Sequence, residues 1–147
     1  MIGILHGYLL EGSGSNLWTR SIIQALCKQG EIVHLFCQEN HPEKYDFISE
    51  AYQYEHDGRI STLLKRKIAY PGACIMHKPK LGDKLPVFVW DHYEEFSKVV
   101  PMIELSNDEI NNYINRYINI VKIVIDKYKL KVLHANHAVL MSVIAQK

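Results

Sequence analysis

The sequence predicts an α/β fold, a single domain on a Rossmann-like, doubly wound and mostly parallel sheet, and three observations lead there. A short apolar run, Ile2 to Leu10, is followed by a polar glycine-rich turn, an amphipathic segment and a second compact apolar run, Ile32 to Cys37. Strand, loop, helix and strand in that order make a βαβ unit with parallel strands. Further on, apolar residues from Ile110 to Tyr128 recur at spacings of three and four, which makes one stripe along a long helix. That helix leads into another short apolar run, Val132 to Ala135, so the strand–helix alternation of a parallel sheet resumes.

The first run is apolar throughout rather than alternating, as a strand covered on both faces must be. It gives way to Glu11-Gly12-Ser13-Gly14-Ser15-Asn16. Leu17, Trp18, Ile22, Ile23, Ala25 and Leu26 then fall on one broad helical face, with Ser15 or Asn16 as the expected N-cap and Gly30 as the stop. Residues 38–105 read as an irregular insertion. It holds HPEKYDF (His41 to Phe47), a short helix expected around Ser61 to Lys67, and the turn Tyr70-Pro71-Gly72. A strand at Cys74 to His77 and a short apolar run from Val87 to Trp90 follow. Segments of this length within a compact domain usually cover or build a functional surface. Ser106-Asn107-Asp108-Glu109 has the form of a capping box at the start of the long helix. Tyr113, Tyr117 and Tyr128 lie on its apolar stripe and are assigned to packing. Ala138 to Ala145 begins a further helix.

With 147 residues, 48% hydrophobic and 22% charged, the chain has the make-up of one soluble domain with a real core. Its 17 basic and 16 acidic residues give a net charge of +1, which does not provide the basic face a nucleic acid needs. No apolar run reaches the ~20 residues of a membrane span, and MIGILHGYLL has no basic leader region, so a cytoplasmic location is expected. Cys27, Cys37 and Cys74 are far apart and form no CxxC pair, which suits buried, reduced thiols.

Three places can carry chemistry. In the loop Gly12, Ser13, Gly14 and Ser15, backbone N–H groups at a helix start favour an anion, and glycines allow close approach; a turn needing glycine for geometry alone is the alternative. Neither a Walker loop nor a dinucleotide fingerprint is present, since Leu17 stands where the latter needs glycine or alanine. His134, Asn136 and His137 lie at the carboxyl end of a strand, where open α/β sheets bind ligands. His134 reads as a core histidine, whereas Asn136 and His137 read as ligand contacts. Their spacing lacks a third metal ligand, so no metal is expected. Asp91, His92, Tyr93 and Glu94, beside Trp90, suit a sugar or other polar ligand, with a loop capping the core as the alternative. Glu43, Lys44 and Asp46 are weaker candidates of the same kind. No Gly-x-Ser-x-Gly elbow supports hydrolysis.

The stretch HGYLLEGSGSNLWTRSIIQALCKQGEIVHLFCQE resembles the start of glycosyltransferase family 4 enzymes. KVLHANHAVLMSVIAQ is similar to that family's strand ending in H-x-H and followed by an apolar helix. The phrases HPEKYDF and VFVWDHYEEF fit one branch of the family more loosely. The resemblance implies a GT-B enzyme, two Rossmann-like domains facing across a cleft, with this chain as the amino-terminal, acceptor-side half. It implies retaining, metal-independent transfer from a nucleotide sugar to a sugar or glycoconjugate acceptor, with no cofactor. The second domain, which grips the nucleotide sugar, has no room here, so the chain alone is expected to be inactive. Any membrane association would be peripheral and belong to the full-length protein, and an exposed apolar edge is compatible with a homodimer. By position, Gly12 and Gly14 would lie near the donor diphosphate or the acceptor, and Asn136 or His137 near the donor sugar. His134-Ala135-Asn136-His137 departs from H-x-H by placing Asn136 in the middle site. The alternative of another class is a stand-alone nucleotide- or phosphate-binding module without catalysis.

Overall fold

A computed structural model describes residues 1–82, 84–87, 98–137 and 139–147. In chain order the elements are β1 (Ile2–Leu5), α1 (Gly14–Lys28), β2 (Ile32–Phe36), β3 (Ile48–Tyr54), β4 (Ile60–Lys65) and β5 (Ala73–Pro79). They continue with β6 (Lys84–Val87), β7 (Lys98–Pro101), α2 (Asn107–Tyr128), β8 (Val132–Ala135) and α3 (Met141–Gln146). Six strands form one sheet in the order β4-β3-β5-β2-β1-β8, parallel at every pairing except β3 with β4. β6 and β7 pair in parallel as a separate two-stranded ribbon.

Strand alternation divides the core between the two faces. Ile4, Val33, Leu35, Cys74 and Met76 pack with Ile23 and Cys27 of α1. Leu5 and Phe36 pack on the other face with Tyr117, Val121 and Val124 of α2 and Ile144 of α3. Helices on both faces of a mostly parallel sheet account for the uniformly apolar strands. The three cysteines are buried and unpaired, and burial pushes the Cys27 thiol up to about 11 and that of Cys37 up to about 12. Such thiols stay protonated and serve packing rather than nucleophilic chemistry. Among the described residues no helix is long and apolar enough to cross a membrane.

The strand order places the site. From β1 the chain moves outward to β2, and β5 lies beyond it. Through α2 it returns to β8 on the opposite side of β1. The gap between the carboxyl ends of β1 and β8 is therefore the switch point of the sheet, where such folds leave a crevice.

Several elements differ from the sequence expectation. β1 stops at Leu5, because the N–H groups of His6 and Gly7 both donate to the Phe36 carbonyl, at 3.0 and 3.1 Å, and end the ladder. Gly7 is at φ +81°, which strains any other residue, and a Cβ there would also press on Met141 Cε at 2.8 Å. The N-cap of α1 is Ser13, not Ser15 or Asn16; its Oγ accepts the Asn16 N–H, and Gly14 and Ser15 fall in the first turn. Residues around Ser61 to Lys67 are not helical but form the edge strand β4 and its exit. Asp57-Gly58 reverses the chain, with Gly58 at φ +86° and the Glu55 N–H donating to the Arg59 carbonyl at 2.9 Å. The capping box of α2 is present: Ser106 Oγ accepts the Glu109 N–H at 3.2 Å and Glu109 accepts the Ser106 N–H at 2.9 Å.

Candidate functional site

The crevice is organised around His6, which lies one residue past the end of β1 and is fully buried. Leu5 pairs with Ala135 in the sheet, and the Asn136 N–H donates to the Leu5 carbonyl at 2.9 Å, so His6 and Asn136 leave adjacent strand tips together. His6 Nε2 is 2.8 Å from the Leu9 carbonyl and 3.0 Å from Asn16 Oδ1. Both partners are acceptors, so Nε2 carries the proton and Nδ1 accepts. Asn136 Nδ2 supplies that donor at 2.9 Å, and it also donates to Thr19 Oγ1 at 2.6 Å. The Thr19 hydroxyl in turn donates to the Ser15 carbonyl at 2.8 Å. One neutral tautomer satisfies the whole network. It is the expected state, because burial and, secondarily, the neighbouring His137 ring push the His6 imidazole down to about 4.

This imidazole ties the first turns of α1 to the tip of β8. Asn16 Nδ2 donates to the Glu11 carbonyl, which fastens the glycine loop to the same centre. With both hydrogens of its amide committed, Asn136 has only Oδ1 to offer a ligand. His137 stacks on His6, with ring centroids 5.3 Å apart and planes at 25°, and the ring of Tyr8 stands edge-on to it at 4.8 Å. Burial lowers His137 too, and its Nε2 has no hydrogen-bond partner among the described residues. An unpaired buried ring nitrogen is costly, and a ligand hydroxyl or phosphate oxygen would relieve it.

Of the glycine loop, Gly12 takes φ +96° and delivers Ser13 to the cap, while Ser13 and Ser15 hydroxyls sit 3.1 Å apart. The N–H groups of Asn16 and Leu17 are used by Ser13. Among the described residues those of Gly14 and Ser15 have no acceptor and are the free donors of the first turn, which contains no acidic residue. A Cβ on Gly14 would meet nothing within 4 Å, so the space in front of this turn is open.

Gly12, Ser13, Gly14, Ser15, Asn136 and His137 therefore share one edge of the sheet, at its switch point. Asp91, Tyr93 and Glu94, with Trp90 and His92, lie outside the described residues. His134 is not the core histidine expected. β8 is an edge strand, and His134 is exposed on it with its ring 5.9 Å from that of Trp18. Glu43 and Asp46 are occupied elsewhere, by His41 and by the Tyr70 hydroxyl. Glu39 is buried and accepts the Leu10 and His41 N–H groups and the Tyr45 hydroxyl, so it serves the loop's structure. Sequence reasoning missed His6, Asn16 and Thr19 as the organising residues. The signal was a lone histidine followed by glycine inside the apolar run, with Asn16 and Thr19 one helical turn apart. Among the described residues no group of three or more His, Cys, Asp or Glu side chains is placed to hold a metal ion.

A second buried histidine pair lies in mid-sheet under α2. His34 Nδ1 is 3.0 Å from His77 Nε2, and the Tyr54 hydroxyl is 2.8 Å from His77 Nδ1. Tyr128 covers His34, with centroids 4.3 Å apart. Burial pushes His34 down to about 4 and holds His77 well below its ordinary value.

Comparison with protein-family models, with curated proteins and with solved structures finds no match to this chain.

Proposed function

We propose that this chain is the amino-terminal, acceptor-side domain of a retaining, metal-independent GT-B glycosyltransferase resembling family 4. In this reading it moves a sugar from a nucleotide sugar to a sugar or glycoconjugate acceptor, together with a second domain that grips the nucleotide. The observation that carries the reading is the convergence of the Gly12–Ser15 turn and the Asn136-His137 tip on one crevice, bridged by His6. The free N–H groups of Gly14 and Ser15, at the positive end of α1, suit a phosphate of the donor or acceptor. Asn136 Oδ1 can accept from a sugar hydroxyl, and a neutral His137 can exchange a hydrogen bond with the sugar without adding charge. Such preorganised groups act by positioning and by stabilising the departing diphosphate.

Calorimetric titration of the chain with nucleoside diphosphates and sugar nucleotides tests this reading, with Gly14→Val and His137→Ala as variants. Val at position 14 meets open space, so it adds bulk at the first turn without disturbing the core. At least one sugar nucleotide should bind, and each variant should weaken it tenfold or more, about 1.4 kcal/mol. Equal binding by all three proteins, or none by the wild type, overturns the assignment. Binding that ignores the sugar moiety would favour the non-catalytic nucleotide module instead.

A further inference from the structure

A cavity of about 410 Å³ lies beside the crevice, between the first half of α2, the chain leaving β5 and the strand β6. It falls within the range of small-molecule sites, about 300–1,000 Å³. Tyr113 of α2 belongs to both regions: it lines the cavity, and its hydroxyl is 3.1 Å from where a Cβ on Gly7 would stand. Among the described residues, none of the glycine loop or of the β8 tip lines this space.

The lining is cationic at one place and amide-bearing at another. Arg116 is held by two backbone carbonyls, donating from Nε to Lys80 at 3.2 Å and from Nη2 to Tyr54 at 2.7 Å. Among the described residues it has no carboxylate partner. The guanidinium is thus fixed in orientation while Nη1 has no hydrogen-bond partner among the described residues, an arrangement suited to an oxyanion. Lys80 and Lys84 also line the cavity; each has a carboxylate, Glu55 at 2.9 Å and Glu109 at 2.8 Å. Glu109 is further committed to the helix cap, and the Lys84 ammonium and the Ser106 bonds hold its carboxyl down at about 2. It therefore neutralises Lys84 and, among the described residues, leaves Arg116 as the uncompensated cation of the lining. Asn112 and Asn119 flank Arg116 at helical spacings of four and three, on the same face. Each amide offers both donor and acceptor to hydroxyl groups. The ring of Tyr113 and the side chain of Leu81 add apolar surface for C–H faces.

We infer that this cavity binds a small sugar or related polyol bearing one anionic group, phosphate or carboxylate, with the anion on Arg116 and the hydroxyls on Asn112 and Asn119. A neutral sugar would leave the fixed guanidinium unpaired, and a bare anion would leave the amides unused. The inference does not depend on glycosyl transfer and uses none of the ligand contacts proposed for the crevice, so either can fail alone.

Calorimetric titration of the chain with glucose 6-phosphate, glucuronate, glucose and inorganic phosphate tests it. Glucose 6-phosphate or glucuronate should bind at least tenfold more tightly than glucose and than phosphate, and the tighter of the two identifies the anion. Arg116→Lys keeps the charge but loses the fork, and should weaken that ligand tenfold or more. Asn119→Asp places a carboxylate on an exposed position of the same face and should do likewise without affecting folding, checked by thermal melting. The inference is overturned if no anionic sugar binds at millimolar concentration, if phosphate alone binds as well, or if a folded Asn119→Asp variant binds unchanged.

Discussion

Among the described residues the protein has two buried histidine centres, and their differences show what makes one of them the candidate site. His6 lies past the end of β1, at the switch point of the sheet, and His34 and His77 lie within β2 and β5 under α2. Both centres are desolvated and both are held neutral by burial. Around His6 the ring bonds reach the Leu9 carbonyl, Asn16 of α1 and Asn136 at the β8 tip, so the imidazole positions groups that face open space. The His77 bonds go to Tyr54 and His34, and aromatic rings close around the pair. A lowered pKa marks both places; only topology separates them.

The largest effect that sharpens this comparison is on stability against pH. His6, His34 and His77 all have folded pKa values below the unfolded value near 6.5. As pH falls through that value the unfolded chain takes up protons that the folded chain refuses, so stability is full above it and declines toward about 4. At pH 5 the loss from His6 should be on the order of 2 kcal/mol relative to pH 7, and the lowered His34 and His77 add to it in the same direction, read from urea unfolding at the two pH values. No loss between pH 7 and pH 5 would mean that these rings are not buried as described.

Next in size, His77→Ala leaves a cavity and strips the Tyr54 hydroxyl and His34 of their partner. It should cost about 3 kcal/mol at pH 7 while sugar-nucleotide titrations of the folded protein stay unchanged. A specific loss of binding would break the distinction between the two centres. Asn136→Ala should behave in the opposite way. The residue is half-buried, so its removal costs on the order of 1 kcal/mol in stability, whereas sugar-nucleotide binding should fall tenfold or more. The smallest effect is Ser106→Ala, which loosens the start of the helix that seals the His34–His77 pair. About 1 kcal/mol and a few degrees in Tm are expected, with the crevice unaffected.

Local signals made much of this arrangement legible. β1, α1, β2, α2 and β8 could be read because each is an uninterrupted apolar run or stripe, and Ser106 to Glu109 spells its cap. β4 could not, since an edge strand of mixed polarity has no strict alternation, although Asp57-Gly58 was a hairpin signal. Strand order was beyond reach: pairing β1 with both β2 and β8 depends on contacts distant in sequence. His134 was assigned to the core because a short apolar strand looks the same whether it is central or at an edge. The site's anchor, His6, was hidden within the apolar run, where its role depends on a strand that ends at Leu5 rather than at Leu10. Asn16 was read as a cap, a local role, when its side chain works across the sheet edge.

The most direct test of the central claim is a backbone amide NMR titration of the chain with the sugar nucleotide that binds most tightly. Resonances of Gly7, Gly14, Ser15, Asn136 and His137 should shift together and saturably, while those of His34 and His77 stay in place. Shifts centred on the mid-sheet pair, or scattered with none at the β1 and β8 tips, would contradict the account.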